Sequence, residues 1–383
     1  MSEQKVTENK VAEKKFYLGL MSGTSADGID LALVDFSAGK VNLVGHFYQA
    51  YSDEFHQQIT ALYSPSINEI DRVGCLAIEL AHFFSQAIEK FLQQQQISPE
   101  NIIAIGCHGQ TVRHRPKTSD SINHPFTLQI GCNQTLATLS GIRVIGDFRT
   151  KDMVLGGQGA PLVPAFHQYL FSHQKADTFI VNMGGIANIT YLPSDKHQAI
   201  IGFDTGPANA LLDAWCFNHT GKRYDENGQW AAQGTINQAL LNDLLSDEYF
   251  SFPAPKSTGR EYFNLPWLTK YMAGYSITPI DVQATLSALT AFSIAHEVNK
   301  LSPKAFVYLC GGGINNKQCY KLLEQQLKGH TLNTILSLKL NNNAFEAMAF
   351  AWLSFAYDKK IYGNIPTVTG ASKQTVLGIE YYP

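Results

Sequence analysis

Two stretches far apart in the chain open in the same way. FYLGLMSGTSADGIDLALVDF, residues 16–36, and FIVNMGGIANITYL, residues 179–192, each start at Phe, run through an apolar strand and a Met, turn on glycine and leave along a second strand. Alternating apolar positions on both sides of a Gly-bearing turn are the mark of a β-hairpin. The two stretches are too divergent to count as a sequence repeat, yet the shared rhythm implies an internal duplication: two similar α/β lobes with a cleft between them.

The remaining pattern fits that frame. A helix is expected around residues 67–95, short buried strands at 102–107, 126–130 and 144–149, and helices around 208–220, 235–245, 281–301 and 344–358, with a strand at 306–310. Strands alternating with helices make an α/β protein. We expect residues 1–15 to be a disordered polar tail, residues 16–150 with 356–383 to form lobe I, and residues 151–355 to form lobe II, with the crossover near the Gly-rich stretch 156–161. The apolar content of 45% over 383 residues is ample for two cores.

Charge and cysteine usage exclude several classes. A formal net charge of -3 offers no basic excess for a phosphate backbone, so no nucleic acid partner is expected. The six cysteines are scattered through apolar segments without C-x-x-C spacing, which reads as a reducing, cytoplasmic setting without disulfides. The opening residues lack the apolar run of a secretory signal, and no apolar stretch reaches the ~20 residues of a membrane span, so no membrane partner is expected.

Three turns carry chemistry. Gly23-Thr24-Ser25-Ala26-Asp27-Gly28-Ile29-Asp30 offers backbone N–H groups and hydroxyls suited to phosphate oxygens, or is an ordinary β-turn. Gly202-Phe203-Asp204-Thr205-Gly206-Pro207-Ala208-Asn209 lies between a strand and a helix. There Asp204 faces a cleft beside a helix N-terminus that favours anions, or merely caps that helix. Gly311-Gly312-Gly313 lays flat backbone against a base or ribose, or is a tight strand-to-helix turn. No Walker A or Rossmann glycine pattern occurs.

Taken in order, these turns resemble the superfamily of sugar kinases, actin and heat-shock chaperone ATPases, whose two-lobed fold is ribonuclease H-like. MSGTSADGID, GCHGQTVRH, GDFRTKDMVLGGQGAPLVPAFH, NMGGIANIT, GFDTGPANALLDAW, PKSTGREYFNLPWL, CGGGINN and EAMAFAWL together resemble the anhydro-N-acetylmuramic acid kinase family, from about residue 16 to 378. The resemblance implies an enzyme that opens the 1,6-anhydro ring of 1,6-anhydro-N-acetylmuramic acid and phosphorylates the freed 6-oxygen. The product is N-acetylmuramic acid 6-phosphate, in peptidoglycan recycling. ATP is the implied donor, with Mg²⁺ bridging its phosphates.

By that resemblance Asp204 is the general base. Gly23 to Asp30, Gly184, Gly185, Gly206 and Gly311 to Gly313 attend the nucleotide. A homodimer is also implied, although no exposed apolar stripe compels one. Arg149 is a candidate clamp for the lactyl carboxylate, or an ion-pair partner of Asp147 or Asp152. Glu346 stands on an otherwise apolar helix, where an unpaired carboxylate is costly, so it should meet a substrate hydroxyl or an arginine. His108 and Gln110 follow a buried strand and are candidates to touch the sugar, or His108 is a satisfied structural residue. His108 has no second ligand at metal-site spacing, so no protein metal site is read. The polar run Lys256-Ser257-Thr258-Gly259-Arg260 contacts ligand or only holds the lobe together. A kinase of ordinary sugar hydroxyls and a non-enzymatic nucleotide switch remain the competing readings.

Overall fold

The computed structural model describes residues 15–118 and 122–383. The expected N-terminal tail, apart from Lys15, lies outside the described residues. The chain divides into two compact units. The first holds residues up to 151, 346–361 and 376–383; the second holds 152–345 and 362–375.

The first unit begins with a meander, β1 (Phe16–Ser22), β2 (Gly28–Asp35) and β3 (Asn42–Ala50), joined antiparallel. β4 (Ile102–Arg115) then lies parallel to β1, β5 (Phe126–Ile130) folds back on β4, and β6 (Val144–Gly146) lies parallel to β4. The second unit repeats the plan. β7 (Thr178–Met183), β8 (Ile186–Leu192) and β9 (Ile201–Pro207) form an antiparallel meander, and β10 (Phe306–Cys310) and β11 (Thr331–Thr334) add in parallel. The last strand, β12 (Ile379–Tyr381), returns to pair with β6 of the first unit. The seven-stranded first sheet therefore reads β3-β2-β1-β4-β6-β12 with β5 beside β4, and the second reads β9-β8-β7-β10-β11; the five strands counted from β3 and from β9 take the ribonuclease H-like order in both units. The duplication expected from the two openings is present at the level of topology.

Each sheet has its own core. In the first unit the helix Glu69–Gln95 lays Leu76, Leu80, Phe84, Ile88 and Phe91 on one side. These recur at helical spacing, as an amphipathic helix requires. On the other side the helix Phe345–Lys359 approaches so closely that Cβ atoms built on Gly19 and Gly106 would fall 1.8 and 2.0 Å from the carbonyl oxygens of Ala347 and Phe350. In the second unit the helix Pro279–Leu301 is buried along most of its length beneath β8 and β9. An N-cap, the Thr278 hydroxyl accepting from Asp281 N–H, starts it.

One strand departs from expectation. β4 does not stop at Cys107 but runs on through His108 and Gln110 to Arg115, because β5 supplies an antiparallel partner beyond Gln110. His108 and Gln110 are thus strand residues, both buried.

Candidate active site

In the first unit the β1–β2 turn is tied down through its carbonyls. Gly23 O accepts from Gln110 Nε2 at 3.1 Å, Thr24 O from the Tyr63 hydroxyl at 2.9 Å, and Asp27 O from the Tyr48 hydroxyl at 3.0 Å. The side chains of Thr24, Ser25 and Asp27 stay exposed, and Ser25 Oγ donates to Asp27 Oδ1. Ala26 and Ile29 are completely buried in the core, so the exposed face of the turn is narrower than the run Gly23–Asp30. Asp30 pairs with His46 at 2.7 Å. Gln110 Oε1 accepts from Ser22 Oγ at 2.5 Å, and its amide nitrogen also reaches the Tyr63 hydroxyl. With both ends engaged in the fold, Gln110 holds the turn.

His108, Arg149 and Glu346 form a second group in this unit. His108 Nδ1 lies 3.2 Å from Ser22 O, and Nε2 lies 2.8 Å from Arg149 Nη2 and 3.2 Å from Nε. That network assigns a neutral ring with Nδ1–H donating and Nε2 accepting. Burial, with the Arg149 charge, holds the imidazole at about 3, so it stays neutral across the physiological range. Burial also lowers Arg149 to about 10, against the pull of Glu346; it remains a cation at neutral pH. Glu346 corrects the sequence picture. It lies in the first turn of its helix and is exposed, while Ala347 to Ala356 behind it are buried. Its surroundings are still poor enough in water to push the carboxyl up, with Arg149 opposing and Asp30 adding to the shift. A pocket of about 260 Å³ beside this group is lined by His108, Gln129, Asn133, Asp147 and Thr150 among others.

In the second unit Asp204 lies within β9, opposite Asn188 of β8, and is not a helix cap. Its Oδ2 accepts from Thr258 N–H at 3.0 Å, its own N–H donates to Lys256 O at 3.0 Å, and its carbonyl accepts from the Tyr249 hydroxyl at 2.7 Å. Burial raises its carboxyl to about 6; the Thr258 N–H resists the shift and Glu261 adds to it. A carboxylate there is a base with a pKa near working pH.

The helix Asn209–Thr220 does not offer the anion site expected of its N-terminus. The N–H groups of Ala208 and Ala210 donate to Gly185 O and that of Asn209 to Gly184 O, so the β7–β8 turn caps the helix. Arg260 packs within van der Waals reach of Gly185 and brings a cation to this turn. Gly206 is buried against Phe250 and Ser293. Of the triple glycine, Gly311 takes φ 81°, with its N–H donating to Asn342 Oδ1. Gly313 is buried on Met183, and Gly312 is exposed. Gly312 lines a cavity of about 430 Å³ with Asn209, Asp213, Glu226, Asn315 and Asn316. Burial raises Asp213 in that cavity to about 6, with Arg260 opposing.

The sequence profile of the anhydro-N-acetylmuramic acid kinase family matches residues 15–383. The chain belongs to that family. The kinase of this name from Colwellia psychrerythraea is 51% identical over 99% of this chain and 100% of its own length. The one from Coxiella burnetii is 44% identical over 96% and 98%. Among solved structures, component A of the Acidaminococcus fermentans (R)-2-hydroxyglutaryl-CoA dehydratase is similar at a TM-score of 0.47 and 13% identity, covering 90% of this chain and 99% of that one.

No sequence motif singles out Tyr249, whose hydroxyl holds Asp204 O, or Glu297, which pairs with Lys256. Glu297 did carry a signal. It is the single carboxylate in the mostly buried stretch 282–298 of its helix, as Glu346 is in the apolar stretch 345–357 of its own. No helix among the described residues is long and apolar enough to cross a membrane.

Proposed function

We propose that this kinase hydrolyses the 1,6-anhydro bridge of 1,6-anhydro-N-acetylmuramic acid and transfers the γ-phosphoryl group of ATP to the released 6-oxygen. Asp204 Oδ takes a proton from water as that water attacks the anomeric carbon on the face opposite the bridge. The bond from the anomeric carbon to the 6-oxygen breaks, the 6-oxygen takes the phosphoryl group, and ADP leaves. The chemistry is that of an inverting glycosidase in which a phosphoryl group replaces the proton of a general acid.

The observation that carries this reading is Asp204: a carboxylate anchored through one oxygen and both backbone groups, and tuned to about 6 by burial. A plain sugar kinase also needs a base, but the family match over residues 15–383 favours the anhydro sugar. We assign Arg149, oriented by neutral His108, to the lactyl carboxylate, because a guanidinium fork matches a carboxylate. Glu346 accepts from a sugar hydroxyl. The hydroxyls of Thr24 and Ser25 and the Arg260 cation attend phosphate oxygens. Gly312, Asn315 and Asn316 attend the adenosine in the 430 Å³ cavity.

Mg²⁺ fits as an ion held mainly by ATP oxygens and water, since no cluster of three or more metal-ligating side chains occurs among the described residues. When bound it would neutralise phosphate charge. Six free cysteines support a cytoplasmic setting.

The deciding experiment is an ADP-release assay with 1,6-anhydro-N-acetylmuramic acid in H₂¹⁸O, on the wild type and Asp204→Asn. Label at the anomeric carbon, lost with turnover in the variant, is the expected result. ADP release without label, or an unimpaired variant, overturns the hydrolytic step or the assignment of Asp204.

A further inference from the structure

The run from Ser251 to Arg260 is a mostly exposed strap beside Asp204 in the middle of β9, and within it Lys256 alone is buried. Its ammonium lies 2.8 Å from Glu297 Oε1, with both side chains 4% exposed. It also lies 3.3 Å from Tyr249 O, 3.4 Å from Phe250 O and 5.0 Å from the centre of the Tyr249 ring. Each of the three bonds that fix Asp204 comes from this neighbourhood: Lys256 O, Thr258 N–H and the Tyr249 hydroxyl.

Glu297 stands on the helix Pro279–Leu301, and the same helix holds β9 itself. Thr290 Oγ1 donates to Pro207 O at 3.1 Å, and Ser293 packs on Gly206. Positions 290, 293 and 297 recur at helical spacing and share one face. The strand carrying Asp204 and the strap gripping it are thus referenced to a single rigid element.

We infer that the Lys256–Glu297 pair is a positioning device for the general base: it locks the strap so that Thr258 N–H turns one carboxylate oxygen of Asp204 inward and leaves the other to the attacking water. This rests on the reading of Asp204 as the base. A buried ion pair is a poor source of stability compared with apolar groups of the same volume, but it fixes direction. An ammonium with three donors divided between Glu297 and two carbonyls admits one strap geometry, where a methionine would admit several. Glu261, the residue after the strap, is the charged group that acts on Asp204, and Tyr249, whose hydroxyl holds Asp204 O, lies in the fields of both Asp204 and Glu297.

The test compares three variants in the ADP-release assay, with melting temperature recorded for each. Lys256→Met/Glu297→Leu removes both charges at similar volume, which keeps the fold intact. It should lower kcat roughly 10- to 100-fold, the cost of misplacing a catalytic group by about an ångström. KM for sugar and ATP should stay within about twofold, a split that a merely structural role would not produce. The acid limb of kcat/KM should also fall towards an ordinary carboxylate, because a loosened strap admits water to a group whose shift comes mainly from burial.

Glu297→Asp keeps the charges and shortens the arm by one methylene. It should give a smaller loss of the same kind, and it decides the matter should the double variant not fold. Wild-type kcat and acid limb in whichever of these folds, with Asp204→Asn inactive, would sink the positioning role and leave the base in place. An active Asp204→Asn would remove the base and this inference with it.

Discussion

The two units share one strand order, yet their first turns work in opposite ways. In the first unit the β1–β2 turn is a five-residue loop whose carbonyls are bound into the fold while Thr24, Ser25 and Asp27 project outward. In the second, the β7–β8 turn is two glycines whose carbonyls cap the helix Asn209–Thr220 and whose lack of side chains admits Arg260. One copy presents side chains, and the other presents backbone together with a cation brought from the strap. One strand order thus carries two unlike turns at equivalent corners.

That contrast can be broken at Asp204, which has no counterpart of its kind in the first meander. Asp204→Asn should lower kcat by about 10²–10⁴-fold, read as ADP release. Substitution of Asp30, which pairs with His46, should fall far short of that. Next in size is a glycine test. Gly311→Ala places a Cβ 2.2 Å from Asn182 Oδ1 at φ 81°, and should cost about 1–3 kcal/mol and raise KM for ATP. Gly23→Ala meets only Ser25 Oγ at 3.7 Å and should shift thermal unfolding by less than about 0.5 kcal/mol.

The third test is pH. Since burial holds Asp204 at about 6, the acid limb of kcat/KM should lie near pH 6, well above an ordinary carboxylate. The same shift acts on stability. Between 3.8 and 6 the unfolded chain releases this proton while the native state keeps it, so stability declines as pH rises through that window. Asp204→Asn should therefore melt later above pH 6, by about 1–2 kcal/mol after allowing for its partial exposure, and equally below pH 4. The smallest effect is expected at the first turn: Thr24→Ala and Ser25→Ala should each raise KM for ATP about three- to tenfold without altering the melting temperature.

Much of this was legible in the chain. The two openings announced two meanders because alternation and turn glycines are local signals. Asp204 stood out as a carboxylate among glycines between a strand and a helix, although β9 in fact runs on through it to Pro207. What surrounds it was not legible. Lys256 and Thr258 reach Asp204 from some fifty positions away, through a strap with no periodicity to mark it. His108 and Gln110 read as the residues after a strand because nothing local reveals that β5 will extend it. The helix at Asn209 looked open to anions because its cap comes from backbone carbonyls of another turn, and carbonyls leave no trace in a sequence.

The route of the chain also bears on how the protein is made. The first unit is assembled from three stretches, and the helix Phe345–Lys359 and β12 arrive only after about two hundred residues of the second unit have been synthesised. At roughly 5–20 residues per second, a nascent sheet carrying Gly19 and Gly106 waits on the order of 10–40 s for the helix that covers it. During that interval its bare face and the open edge at β6 are what a ribosome-associated chaperone would meet.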